Sequence, residues 1–344
     1  MNIVIDAKGT DFAERIRKER LNIIVYGAGV IGKICAPDFL SSNELLDHVL
    51  FWVDEDVHKR ERDITVNGKH FKIVPACEIV NTREPYVILV TSSRYSGILE
   101  YLGKQPYSDR LEVYILPMMS IRDFNPEKVQ LQFREGEKIP KKLHYCWFGG
   151  DMPIEMKKNI ESWKSFCPEY DLICWNEKNY DIDKCSFTKQ AYENKKWAFL
   201  SDAIKLDVLY EQGGFYFDTD VELIRPLDEL RKLRSFCCVE KWGVINFGGG
   251  AGSVPKVSII KEMLELRLES PLFFNDGAFN RENSGYFESL PFIKLGFHTN
   301  NTYQLIEGIS ILPSDYFHPY DYMSRQLMIT DNTYGIHNFC GSWL

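Results

Sequence analysis

The sequence predicts an α/β protein of two domains, the first a Rossmann-like unit with a parallel sheet. Three observations predict it. Over residues 1–120 short apolar runs alternate with helical segments, the pattern of strands joined by crossover helices. A glycine turn, Gly27-Ala-Gly29-Val-Ile-Gly32, separates one such run from a helix. Further on, a helical stripe, two glycines and an aromatic run end on Asp218-Thr-Asp220.

The elements follow in order. Asn22–Tyr26 reads as a buried strand, and the glycine turn after it opens a helix to about Leu40 that Pro37 interrupts. Val49–Val53 is a second strand, closed by Asp54. Tyr86–Val90 is a third and Val113–Leu116 a fourth. Residues 121–138 are polar and lack periodicity, as expected of a linker. A second domain over 139–344 opens with a strand at Lys142. A length of 344 residues suits two domains.

Composition excludes several classes. The chain is 44% hydrophobic and 26% charged, an ordinary globular balance. Its net charge of −8, without a long basic block, argues against a nucleic-acid partner. No apolar run of transmembrane length occurs, and Met1–Arg20 has no signal-peptide core. The cysteines number nine, with no C-x-x-C among them, so neither a zinc site nor a disulfide framework is signalled. Free thiols suit a reducing compartment, and a cytoplasmic location is expected.

Gly27-x-Gly29-x-x-Gly32 follows a strand and opens a helix, and Asp54 lies 22 residues beyond Gly32. This is dinucleotide-fingerprint spacing, with glycines for the turn and phosphate approach and an acid for the ribose hydroxyl. NAD(P) or another nucleotide is the ligand such a site would take; the alternative is a Rossmann-like domain with no cofactor, since the unit is about half of a full dinucleotide fold.

Asp-x-Asp occurs three times, at Asp54-Glu-Asp56, Asp181-Ile-Asp183 and Asp218-Thr-Asp220, so the triplet alone says little. Context distinguishes the third. Leu200, Ala203, Ile204 and Val208 form a helical stripe, and Asp202 and Lys205 share one face of that helix. Gly213-Gly214 ends it, and Phe215-Tyr216-Phe217 is strand-prone. In an extended segment Asp218 and Asp220 face one side, roughly 6.6 Å apart at Cα. Carboxylates that close repel unless a cation lies between them or one stays protonated. Oxygen ligands beside a diphosphate suit Mn²⁺ or Mg²⁺.

From Ile139 onward the chain resembles glycosyltransferase family 32, the DXD-containing sugar transferases that include capsule and exopolysaccharide enzymes. The likeness rests on Ile139-Pro-Lys-Lys-Leu-His144-Tyr-Cys-Trp147-Phe-Gly149, then Ser162-Trp163, Cys167-Pro168 and Trp175-Asn176, then Ala198 through Asp220, and last Thr333-Tyr-Gly-Ile-His337 with Gly341-Ser342-Trp343. The resemblance implies a GT-A fold, a UDP- or GDP-sugar donor, a divalent metal and retention of anomeric configuration. It implies that Asp218, Asp220 and His337 hold the metal and that Asp202, Lys205 and Asp220 are catalytic. It further implies that Trp147 stacks on the base, that Asp202 and Lys205 bind the sugar, and that Tyr216, Asp218, Asn246, Ser342 and Trp343 complete the donor site. The family usually carries arginine at the place of Lys205, and lysine cannot reproduce a forked contact. The implied acceptor is a saccharide, lipid-linked at the inner face of a membrane, and the implied process is capsule or exopolysaccharide synthesis. The competing class is an NAD-dependent nucleotide-sugar epimerase or reductase, for which Tyr192-x-x-x-Lys196 offers a proton-transfer pair read otherwise as a solvated helix.

Overall fold

A computed structural model describes residues 1–133, 136 and 138–340. The chain forms two compact units. The first comprises Met1–Asn125 with the short segments Lys241–Val244 and His298–Asn301; the second comprises Pro126–Glu240, Ile245–Phe297 and the chain from Thr302 onward.

The first unit is a parallel α/β sheet. Its strands are β1 (Asn2–Val4), β2 (Asn22–Tyr26), β3 (Val49–Val53), β4 (Ile73–Val74), β5 (Tyr86–Val90) and β6 (Glu112–Ile115), in the order β1-β6-β5-β2-β3-β4. Every pairing is parallel. The central strands read as unbroken apolar runs because both faces are covered: Ile23, Ile24 and Val25 are fully buried, as are Ile88, Leu89 and Val90. Helices α1 (Gly9–Glu19), α2 (Ala36–Ser42), α3 (Tyr95–Gly103) and α4 (Leu116–Asp123) join them. A wide helical turn, Ile31–Cys35, runs directly into α2, so the helical stretch changes its pitch just before Pro37. Helix α4 extends to Asp123, into the stretch expected as linker.

The second unit is a mixed sheet between two apolar layers. Strands β7 (Lys142–Cys146), β8 (Asp171–Trp175), β9 (Gly214–Tyr216), β11 (Ser235–Val239), β12 (Ile245–Ser253), β13 (Gln304–Ile306) and β14 (Ile309–Leu312) lie in the order β8-β7-β9-β12-β11-β14-β13. A separate antiparallel ribbon pairs β10 (Val221–Leu223) with β15 (Gly335–His337). Helix α5 (Ile154–Phe166) follows β7, and Trp163 of that helix is buried with Phe217, Phe236 and Phe317 in one layer. Helices α6 (Ser186–Glu193), α7 (Trp197–Gln212), α8 (Ser258–Glu269) and α9 (Ser284–Lys294) build the other, around Leu200, Ile204, Val208 and Ile260. Among the described residues, no helix is long and apolar enough to cross a membrane, and the cysteines are free thiols.

His144 on β7 ties this sheet to the start of the acidic segment. It is fully buried. Its Nδ1 accepts the indole N–H of Trp175 at 3.1 Å, so Nε2 carries the proton and donates to the Gly213 carbonyl at 2.8 Å. Burial pushes its pKa down to about 4 against the Gly213 contact. The unfolded chain therefore takes up a proton below about pH 6.5 that the folded chain refuses until about pH 4. Stability from this group is complete above pH 6.5 and falls across that window by about 3 kcal/mol. Urea unfolding at pH 7.5 and 4.5 should show that loss in the native chain and a clearly smaller one in His144→Gln; equal losses in the two would remove His144 as the cause.

Candidate active site

Helix α7 is buried nearly all round. Leu200, Ala203, Ile204 and Val208 face the core as their spacing predicts, and Lys205, Leu206 and Asp207 are buried as well. Gly213, at φ +62°, stops the helix, and β9 then runs for three residues only. The extended reading of Asp218-Thr-Asp220 is corrected here. The strand ends at Tyr216, and Val221 N–H donates to the Asp218 carbonyl at 3.1 Å, so the two aspartates stand on a tight turn. Turn closure, and not strand alternation, brings their carboxylates together.

The third member arrives by strand pairing. In the β10·β15 ribbon His337 is opposite Val221, the neighbour of Asp220. His337 Nε2 lies 3.2 Å from Asp220 Oδ1. One ligand atom from each of Asp218, Asp220 and His337 falls within 4.8 Å of the others. Asp220 is held further by the Cys340 N–H at 2.9 Å on Oδ2 and by the Asn338 side chain on its carbonyl. Asp218 accepts the Tyr216 hydroxyl at 3.2 Å, and its own N–H donates to the Gly248 carbonyl at 2.7 Å. Gly248 must be glycine for this fit, since a Cβ there would lie 2.1 Å from Asp218 Oδ2.

The electrostatics follow from the crowding. Burial, and then repulsion by Asp220, raise the Asp218 pKa against the pull of Lys205 and His337. Burial also works against an ionised Asp220, but His337 and the Cys340 N–H outweigh it and bring that pKa down. His337 is raised: burial opposes its charge, and Asp220 followed by Asp218 overcome the opposition. His337 Nδ1 is buried without a hydrogen-bond partner among the described residues. Two carboxylates and one imidazole make a donor set that fits a divalent cation. Such an ion would displace the protons that now soften the repulsion.

Beside this cluster lies a second buried charge group. Lys205, 1% exposed, makes ion pairs with Asp202 at 2.9 Å and with Glu288 of α9 at 2.7 Å. Glu288 is fully buried, and its other oxygen accepts the Phe247 N–H at 2.8 Å. Lys205 is thus occupied by two carboxylates in this structure. Asp202 keeps a partly exposed side chain. Its charge and that of Lys205 are both felt at Asp218.

The remaining expected donor-site residues divide. Tyr216 is fully buried and reaches the site through its hydroxyl on Asp218. Asn246 donates to Glu240 at 2.7 Å and accepts the Gly249 N–H at 3.0 Å. Trp147 is half-buried, and its indole N–H donates to the Gly150 carbonyl at 2.9 Å. Ser342 and Trp343 lie outside the described residues. Asp54, Gly27 and Gly32 of the first unit are engaged in local structure, as described below. The Tyr192–Lys196 pair is not a helical pair: α6 ends at Glu193, Lys195 turns left-handed at φ +55°, and Lys196 Nζ sits 4.3 Å from the Phe279 ring centroid. This removes both the proton-transfer geometry and the solvated-helix reading.

Two residues of the site escaped the sequence reading. Glu288 stands within an apolar helical stretch beside Phe287, Pro291 and Phe292, and Glu240 directly follows the wholly buried β11. A carboxylate amid apolar neighbours was the available signal in each case. Burial and the nearby Glu288 push the Glu240 carboxyl up to about 7, against the Asn246 hydrogen bond and the charge of His337.

Comparisons with known proteins bear on this site. Residues 153–237, which include Asp202, Lys205 and the Asp218–Asp220 turn, match the family described as "Glycosyltransferase sugar-binding region containing DXD motif". The chain is 26% identical over 113 residues to inositol phosphoceramide mannosyltransferase 1 of Schizosaccharomyces pombe, covering 30% of this chain and 34% of that protein. It is 23% identical over 119 residues to subversion of eukaryotic traffic protein A of Legionella pneumophila, covering 27% and 18%. The aligned part thus spans about a third or less of either relative. A solved glycosyltransferase involved in glycosylating the major capsid of PBCV-1 aligns over 59% of this chain and 94% of its own, at 14% identity and a TM-score of 0.35. Residues 153–237 thus match the DXD-type sugar-binding region of glycosyltransferases, and the fission-yeast relative and the solved structure, both aligned at low identity, are sugar transferases.

Proposed function

We propose that the second unit transfers a sugar from a nucleotide-sugar donor to a saccharide acceptor, using a divalent cation held by Asp218, Asp220 and His337. The observation that carries this reading is the meeting of those three side chains within 4.8 Å, two from one turn and one from a strand more than a hundred residues later. When bound, the cation would neutralise charge gathering on the leaving diphosphate. The protein's own part is to hold Asp218 and Asp220 in one orientation, through Tyr216 and Gly248 on one side and Cys340 and Asn338 on the other. Asp202, fixed by Lys205, presents a carboxylate to the hydroxyls of the transferred sugar. Glu240, poised near neutrality and anchored by Asn246, is suited to exchange a proton with an acceptor hydroxyl.

Finer features extend this proposal. A GT-A fold for the second unit, retention of configuration, Mn²⁺ or Mg²⁺ as the ion, a lipid-linked acceptor at the cytoplasmic face of a membrane, and a role in capsule or exopolysaccharide synthesis are supported by the sequence resemblance. Mannosyl transfer, named in the fission-yeast relative, makes GDP-mannose a donor to include. A panel of UDP- and GDP-sugars with Mn²⁺, scored for nucleoside diphosphate release, tests the proposal. Metal-dependent release from one donor is expected; release that persists in EDTA, or none from any donor, would refute it.

A further inference from the structure

The first unit has a cleft of its own, of about 360 Å³. It lies where the sheet order reverses, since the chain leaves central β2 to β3 on one side and returns to β5 on the other. Tyr26, Gly27 and Gly29 line it from the end of β2, Asp54 and Glu55 from the end of β3, and Thr91 and Ser92 from the end of β5. Ligands of open parallel sheets bind at such a crevice, outside the carboxyl ends of the strands.

The acid expected on the ribose of a dinucleotide is engaged within the protein. Asp54 Oδ2 accepts the Ala28 N–H at 2.7 Å and the Lys59 ammonium at 3.2 Å, and Oδ1 accepts the Asp56 N–H at 3.0 Å. Three of the roughly four acceptor positions of the carboxylate therefore staple the glycine turn to the next loop. Gly32 packs against the turn, since a Cβ there would fall 1.9 Å from the Gly27 carbonyl oxygen, which is the place of the third glycine in either reading. The volume also sits near the lower end of the range for ligand pockets, roughly 300–1,000 Å³.

Other groups face the cleft ready for a ligand. A Cβ on Gly29 would meet nothing within 4 Å, so the backbone there borders open space. Tyr26 is only 5% exposed and lines the cleft. Burial first, then Glu55, Tyr101 and Asp54, hold that phenol well above its usual range, so it stays a donor. Ser92 Oγ accepts the Arg94 N–H, which leaves its own proton to give. Glu55 Oε1 takes the Ala76 N–H, leaving its other oxygen to accept. Tyr101 and Ile98 supply an apolar wall.

We propose that this cleft binds a nucleoside phosphate of mononucleotide size, with phosphate against Gly29 and Ser92 and sugar hydroxyls between Tyr26 and Glu55, and that it does not take a dinucleotide. The proposal is independent of the transferase reading. Its test is calorimetric titration of the full chain in EDTA with ADP, UDP and GDP, and with NAD in parallel. Gly29→Leu fills the open space, and Asp220→Asn reports on the other unit. At least one nucleoside diphosphate should bind, roughly tenfold or more weaker in Gly29→Leu and unchanged in Asp220→Asn, with NAD also weaker by roughly tenfold. No binding by any of the three, binding indifferent to Gly29→Leu, binding lost in Asp220→Asn, or NAD as tight would overturn it. Should circular dichroism show Gly29→Leu unfolded, Tyr26→Phe decides. It removes one hydroxyl and should weaken binding about threefold or more, and an unchanged affinity counts against the site.

Discussion

Asp220→Asn should lower sugar-transfer turnover by roughly 10³-fold or more, about 4 kcal/mol of transition-state stabilisation, while the melting temperature stays close to that of the native chain. The substitution keeps shape and an acceptor oxygen, so the Cys340 N–H and the β10·β15 ribbon retain their contacts. It removes the charge that counterbalances His337 and one anionic ligand of the proposed cation. Mn²⁺ titration followed by electron paramagnetic resonance should show the affinity falling in parallel with turnover. Native Mn²⁺ affinity in this variant would dismiss the metal centre, whatever the activity shows.

The second large effect concerns stability. Lys205 and Glu288 are both almost wholly withdrawn from water, and the lysine is balanced by Glu288 and Asp202. Removing one partner of a buried pair strands the other charge, which costs about 3–5 kcal/mol. Glu288→Ala should therefore destabilise the second unit by about that amount, with the loss of the Phe247 N–H contact included. Replacing both members by apolar residues of similar volume removes the stranded charge as well. Lys205→Met with Glu288→Leu should then recover most of the loss, although Asp202 is left without its lysine. Denaturant unfolding of the single and double variants measures this directly. A single-variant cost under about 1 kcal/mol, or a double variant worse than either single, would show that the pair is not coupled as the 2.7 Å contact requires.

Much of the first unit was legible because its signals are local. Asn22–Tyr26, Val49–Val53 and Tyr86–Val90 are strands with the predicted ends, since uninterrupted β-branched and aromatic runs between turns fit a sheet covered on both faces. The fourth strand is displaced by one residue, as Leu116 begins α4. Strand β1 and helix α1 were not visible. β1 spans three residues, and α1 buries only Phe12, Ala13, Ile16 and Gly9 among charged neighbours, too thin a stripe to stand out.

By itself, then, the chain's order of residues determined the α/β class, the strands of the first sheet, the buried helix before the double glycine, and Asp218 with Asp220 as a carboxylate pair needing a counter-charge. Those follow from periodicity and from spacing within a few residues. Tertiary structure alone decided that a turn sets the pair, that Lys205 is locked by Glu288, that Tyr216 and Asp54 serve as supports, and that Glu240 sits near neutrality. Apart from the turn, which a local hydrogen bond closes, each of these depends on burial or on a partner distant in the chain. Desolvation and long-range pairing leave no periodic trace in a single sequence.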